Sequence, residues 1–122
     1  MSVDINLNYP EWVYGLGSFS KNHVLKHLIP EQIIVECKVE VYPLSEVLKK
    51  HNIQYMHLLH IDAEGYDYEV LKTLDLDTQA PLSIFIEHDH LSTEEKTEMR
   101  NLLHERGYSI RDCGSDYFAV KS

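Results

Sequence analysis

Apolar and polar residues alternate without a break through Val3-Asp4-Ile5-Asn6-Leu7-Asn8-Tyr9, the two-residue period of a strand with one wet face. Pro10 ends that run, and residues 11–20, with Gly15 and Gly17, read as a loop. A short helix is predicted over 21–28, stopped by Pro30. The β-branched run over 33–42 predicts a strand. Beyond Pro43 the period lengthens: Leu44, Val47 and Leu48 fall on one helical face, and Asn52 is placed to end the helix. Residues 56–62 form the clearest strand pattern. The turn Ala63-Glu64-Gly65 leads from it into a helix expected to turn Tyr66, Val70, Leu71 and Leu74 inward. Pro81 precedes another strand over 82–87. Ser92-Thr93-Glu94-Glu95 has the spacing of a capping box, and the helix it opens presents Met99, Leu102 and Leu103 before Gly107 closes it. Strands over 108–112 and 117–121 flank Cys113-Gly114-Ser115-Asp116 as a hairpin.

Strands alternating with helices predict a single α/β domain over residues 1–122, with a mostly parallel sheet closed by a C-terminal antiparallel hairpin. In such sheets ligands bind beyond the carboxyl ends of the strands. Two strands end in turns rich in acids and histidines: His60-Ile61-Asp62-Ala63-Glu64-Gly65 and Glu87-His88-Asp89-His90. Both turns are expected at the same rim.

Composition narrows the function classes. With a formal net charge of −9, the surface repels nucleic acid unless a basic patch overrides it. The densest positive cluster, Lys49-Lys50-His51, is more simply a helix C-terminus complementing its dipole. No apolar run is long enough to cross a bilayer, and the first residues lack the basic start and apolar stretch of a signal peptide. A cytoplasmic location is expected, and neither a membrane nor a nucleic-acid partner. Cys37 and Cys113 make no secreted framework and are expected as reduced, buried thiols.

Among the candidate chemical groups, His60 shares a strand side with Asp62, whereas His57 faces the other way. The carboxylates Asp62 and Glu64 are placed to handle a substrate proton or hydroxyl, or to favour a helix N-terminus. Imidazoles and carboxylates around His60, Asp62, Glu87, His88 and His90 would also suit a divalent metal. Sequence neighbours point in different directions, however, so a solvated polar turn is the preferred reading and no metal ligand is assigned.

The segment Leu58-Leu59-His60-Ile61-Asp62-Ala63-Glu64-Gly65-Tyr66-Asp67-Tyr68-Glu69-Val70-Leu71 resembles the signature of the FkbM-type S-adenosylmethionine-dependent methyltransferases, whose core is Ile-Asp-x-Glu-Gly. Val39-x-Val41-Tyr42-Pro43-Leu44-Ser45, Ile84-Phe85-Ile86-Glu87 and Gly107-Tyr108 follow that family's order, so the likeness covers residues 33–122 and extends to Gly15-Leu16-Gly17-Ser18 if that turn is included. The resemblance implies a partial Rossmann-like methyltransferase fold and O-methyl transfer to a hydroxylated small molecule or sugar. It implies Asp62 and Glu64 as catalytic residues, with His60, Glu87 and His88 binding the acceptor. His60 stands where the family commonly has lysine, and Asp67 where it has glutamate. None of the five glycines forms the strand, glycine turn and helix that hold the cofactor in the family. The chain is therefore expected to correspond to the family's C-terminal half, with S-adenosylmethionine implied but its binding residues unassigned. A non-catalytic α/β module that self-associates, or pairs with a partner chain through an uncovered sheet edge, is the alternative.

Overall fold

The computed structural model describes residues 17–122. The chain divides into two compact units, Met1–Glu36 and Cys37–Ser122. The strand expected over 3–9 and the first part of the 11–20 loop, Gly15 included, lie outside the described residues. In the first unit, α1 (Lys21–Lys26) is followed by a 3-10 turn at Glu31–Ile33, and Ile29 is buried.

The second unit contains α2 (Leu44–Lys50), β1 (Leu58–Ile61), α3 (Asp67–Lys72), β2 (Ser83–Glu87), α4 (Thr93–Glu105), β3 (Tyr108–Asp112) and β4 (Asp116–Lys121). Pro43 precedes α2, and Lys49 and Lys50 occupy its last turn. Asn52 then takes a positive φ of 55°, a conformation that asparagine tolerates better than most residues. The helix docks by backbone as well as side chain: the Leu44 N–H donates to Thr73 Oγ1 and the Ser45 N–H to the Thr73 carbonyl.

The sheet order is β1-β2-β4-β3. β1 and β2 are parallel, whereas β2–β4 and β3–β4 are antiparallel. The sheet is therefore mixed, and the expected mostly parallel sheet is corrected. The hairpin does not merely close one side; β4 inserts beside β2 and contributes both antiparallel pairings. Residues 33–42 also differ from expectation. Beyond the 3-10 turn at Glu31–Ile33 they form no strand, because a β-branched sequence becomes a strand only where a neighbour offers a hydrogen-bond ladder.

Alternation along the strands buries Ile61, Ile84, Ile86, Tyr117 and Ala119, which cluster with Tyr68 and Leu71 of α3 and Met99 and Leu103 of α4. Tyr66 is exposed rather than inward, since α3 starts one residue later and its apolar stripe begins at Tyr68. The sheet's other face carries a row of rings across three strands, with centroids 5.3 Å apart for His60–Phe85 and 6.2 Å for Phe85–Phe118. Cys37 and Cys113 are free and exposed, correcting the expectation of buried thiols. None of the described helices is long and apolar enough to cross a membrane.

The expected capping box forms: Ser92 Oγ accepts from the Glu95 N–H, and the Glu95 carboxylate accepts from the Ser92 N–H at 2.8 Å. Gly107 follows α4 with φ +82°, and Tyr108 Oη donates to the Pro81 carbonyl at 2.6 Å. Replacing Ser92 by alanine removes one half of the cap. It is expected to lower stability by about 1 kcal/mol, read as a lower urea midpoint at unchanged m-value.

Candidate functional site

The site is set by one register. Ile61 lies opposite Ile86 across the parallel β1–β2 pair, so the segments after both strands leave at the same end of the sheet. After β1 the chain reverses through Glu64 at φ +50° and Gly65 at φ +93°. Asp67, 1% exposed, holds this turn from inside: Oδ1 accepts from the Ala63 N–H at 2.8 Å and Oδ2 from the Gly65 N–H at 3.0 Å. A Cβ added at Gly65 would lie 3.3 Å from Cβ of His90, which shows how closely the two turns meet. The positive φ favours glycine there, and a side chain would also crowd His90.

His90 Nε2 stands 3.6 Å from Glu64 Oε2 and 3.6 Å from Glu87 Oε1. Oxygens of Asp62, Asp67 and Glu87 lie within 4.8 Å of one another. Glu87 is the member shared by both groups. Its Oε2 is fully enclosed and has no hydrogen-bond partner among the described residues. Burial pushes its carboxyl up from 4.5 to about 7; the charges of Asp62, Asp67 and Glu64 add to this, and His90 opposes it. A carboxyl poised near neutrality can accept or donate a proton at working pH. The triplets Glu64/Glu87/His90 and Asp62/Asp67/Glu87 are also where the described residues have the spacing to hold a cation.

Of the residues singled out from sequence, Asp62, Glu64 and Glu87 are brought together. His60 stands on the sheet face with its ring edge against Phe85, behind the rim. His88 is not in the group: it is buried, stacks on Tyr117 at a centroid distance of 4.0 Å, and places Nε2 3.5 Å from Asp112 Oδ1 of β3. His88 is the first residue beyond β2 and lies against Tyr117 and Asp112 rather than beside the Glu87 carboxylate. Asp67 and His90 join the site instead. A sequence signal existed for each: Asp67 follows Gly65 by two residues, a spacing suited to a carboxylate that caps turn amides, and His90 lies three residues beyond Glu87 in a turn.

The model of the methyltransferase FkbM domain matches residues 5–110 of the chain. The matched range contains both rim turns and reaches upstream of residue 33. No curated protein and no solved structure is matched.

Two measurements probe this geometry. Asp67→Ala leaves two N–H groups without their acceptor and is expected to cost roughly 2–4 kcal/mol in urea unfolding, with Asp67→Asn recovering part of the loss. Glu87 has its folded pKa raised above its ordinary value, so between 4.5 and about 7 the folded chain holds more protons than the unfolded one. Its contribution to stability is therefore full below 4.5 and is lost as pH rises through about 7. Glu87→Gln should flatten that fall and, once solvent screening is allowed for, raise stability at pH 8 by roughly 1 kcal/mol. Urea midpoints measured across pH check this, and parallel profiles for variant and wild type would contradict it.

Proposed function

Because the chain belongs to the FkbM methyltransferase domain family, we propose that its strand rim presents the acceptor in an S-adenosylmethionine-dependent O-methyl transfer to a hydroxylated small molecule or sugar. The observation that carries this reading is the convergence of Asp62, Glu64 and Glu87 with His90 at the ends of two parallel strands. Asp62 is exposed at the tip of β1, where its carboxylate accepts a hydrogen bond from the acceptor hydroxyl and fixes the oxygen's direction. It then takes the hydroxyl proton as the oxygen becomes nucleophilic, with Glu87 behind it as a second proton acceptor near neutral pH. Glu64 orients the acceptor from the facing turn.

S-adenosylmethionine supplies the methyl group as a sulfonium. The described residues do not fit its cradle: His90 packs close against the glycine turn at Gly65, within 3.3 Å of where a Cβ would stand, and no other strand, glycine turn and helix unit stands among them. The described rim is thus assigned to the acceptor alone. That same lack of a cradle favours a second reading, a non-catalytic α/β module of this family.

Calorimetric titration with S-adenosylhomocysteine separates the two readings: micromolar binding supports methyl transfer, and no binding supports the module. In a labelled-methyl assay over a panel of hydroxylated sugars and small molecules, Asp62→Asn should slow transfer by roughly 100-fold or more. A wild-type chain that transfers no methyl to any acceptor leaves the module reading, and an Asp62→Asn variant as fast as wild type removes the role given to Asp62.

A further inference from the structure

Residues 33–42 have the composition of a strand, yet beyond the 3-10 turn they pair with no described strand. Among the described residues, no backbone N–H or carbonyl from Val35 through Tyr42 takes part in a backbone hydrogen bond. The side chains are equally uncovered: Val35 is 62% exposed, Val39 65% and Val41 69%, and Cys37 is exposed and free. Val35, Val39, Val41 and Tyr42 in water, with unpaired backbone alongside, make an edge that invites another strand.

We propose that this segment pairs antiparallel with the same segment of a second copy of the chain, about a two-fold axis at Cys37. The charge pattern selects both the partner and the register. In antiparallel pairing, directly opposite residues share a face. An axis at Cys37 sets Ile33 against Val41, Val35 against Val39, and Cys37 against Cys37, so one face is apolar along its length. On the other face Glu36 meets Lys38 of the second copy, and by symmetry the pair occurs twice. Moving the axis to Lys38 sets lysine against lysine and Glu36 against Glu40, while an axis at Glu36 sets glutamate against glutamate. Axes between residues bring valines opposite charged side chains. An axis at Val39 also sets opposite charges together, Lys38 against Glu40, but it places Val35 against Pro43, which has no N–H to donate, and Ile33 against Ser45 inside α2. The Cys37 axis keeps the whole apolar face paired within residues 33–41 and sets Glu36 against Lys38, with Ile34 against Glu40 at its ends.

A two-stranded ribbon is marginal by itself, so the association is weak and reversible when the thiols are reduced. The register also supplies its own reporter. Opposed residues of an antiparallel pair have Cα atoms about 4.5–5.5 Å apart, within the range a disulfide spans. The pairing is independent of the methyl-transfer reading.

The test uses the full chain. Sedimentation of the reduced protein should show a dimer fraction rising with concentration. Copper–phenanthroline should convert two Cys37 thiols to one intermolecular disulfide, with the oxidant taking the two electrons and two protons released. Cys37→Ser should abolish that cross-link, and Cys113→Ser should leave it. Lys38→Glu should weaken association several-fold, and the charge-swapped double variant Glu36→Lys/Lys38→Glu should restore it, a recovery that a merely structural role would not give. All these side chains are exposed, so the variants are expected to keep the wild-type circular dichroism spectrum. A reduced chain that stays monomeric at every concentration, a double variant that fails to recover, or association that survives Val39→Pro overturns the proposal.

Discussion

The parallel pairing of Ile61 with Ile86 is the constraint on which the candidate site depends. These two residues are buried, and their burial locks the register, because a slip by one residue would turn each side chain to the opposite face. Their position also sets the chemistry of the rim. The next residue after Ile61 is Asp62 and the next after Ile86 is Glu87, so a core contact delivers two carboxylates to one end of the sheet. The inward residues of β4, Tyr117 and Ala119, fix β2 from its other side through the antiparallel ladder. The rim is therefore built on a central strand held from both flanks.

The turn after β1 adds a second, more local constraint. Glu64 sits in the left-handed region, where a residue with a Cβ loses roughly 1–2 kcal/mol. Asp67 offsets that cost by accepting two turn amides, and Gly65 lets the backbone pass against His90. A strained glutamate held in place by a buried aspartate is what a site needs if the Glu64 carboxylate must face Glu87 across a gap bridged by His90. The aspartate in the interior thus shapes the rim from beneath it.

Much of this is legible in the sequence where local chemistry settles structure. The α4 capping box, Asn52 beyond α2, the basic last turn of α2 and the terminal hairpin all rest on signals within a few residues. The adjacency of the two rim turns is also readable, from strand ends and alternation. What is not readable depends on partners distant in sequence. Residues 33–42 have strand composition, but composition cannot say whether a ladder is waiting. The place of β4 beside β2 is likewise a choice among compatible pairings, and it turns a mostly parallel expectation into a mixed sheet. His88 and Glu87 look like one group because they are neighbours in the chain. Glu87 ends β2 at the rim, whereas His88, the first residue beyond the strand, stacks on Tyr117.

The charge balance at the rim bears on what it can handle. Glu64 and Glu87 face the His90 imidazole, and Asp62 and Asp67 gather around Glu87, so the four acids and one histidine together favour a proton or a cation over an added anion. Asp67 is committed to backbone amides, and Glu87 is the group whose charge is least tolerated because one of its oxygens is enclosed. The acids are therefore not equivalent. Asp62 lies in water at the strand tip, whereas Glu87 behind it is held near neutrality by burial. That division of labour comes from depth alone: the same carboxyl chemistry becomes an acceptor of hydrogen bonds at the surface and a holder of protons one layer in.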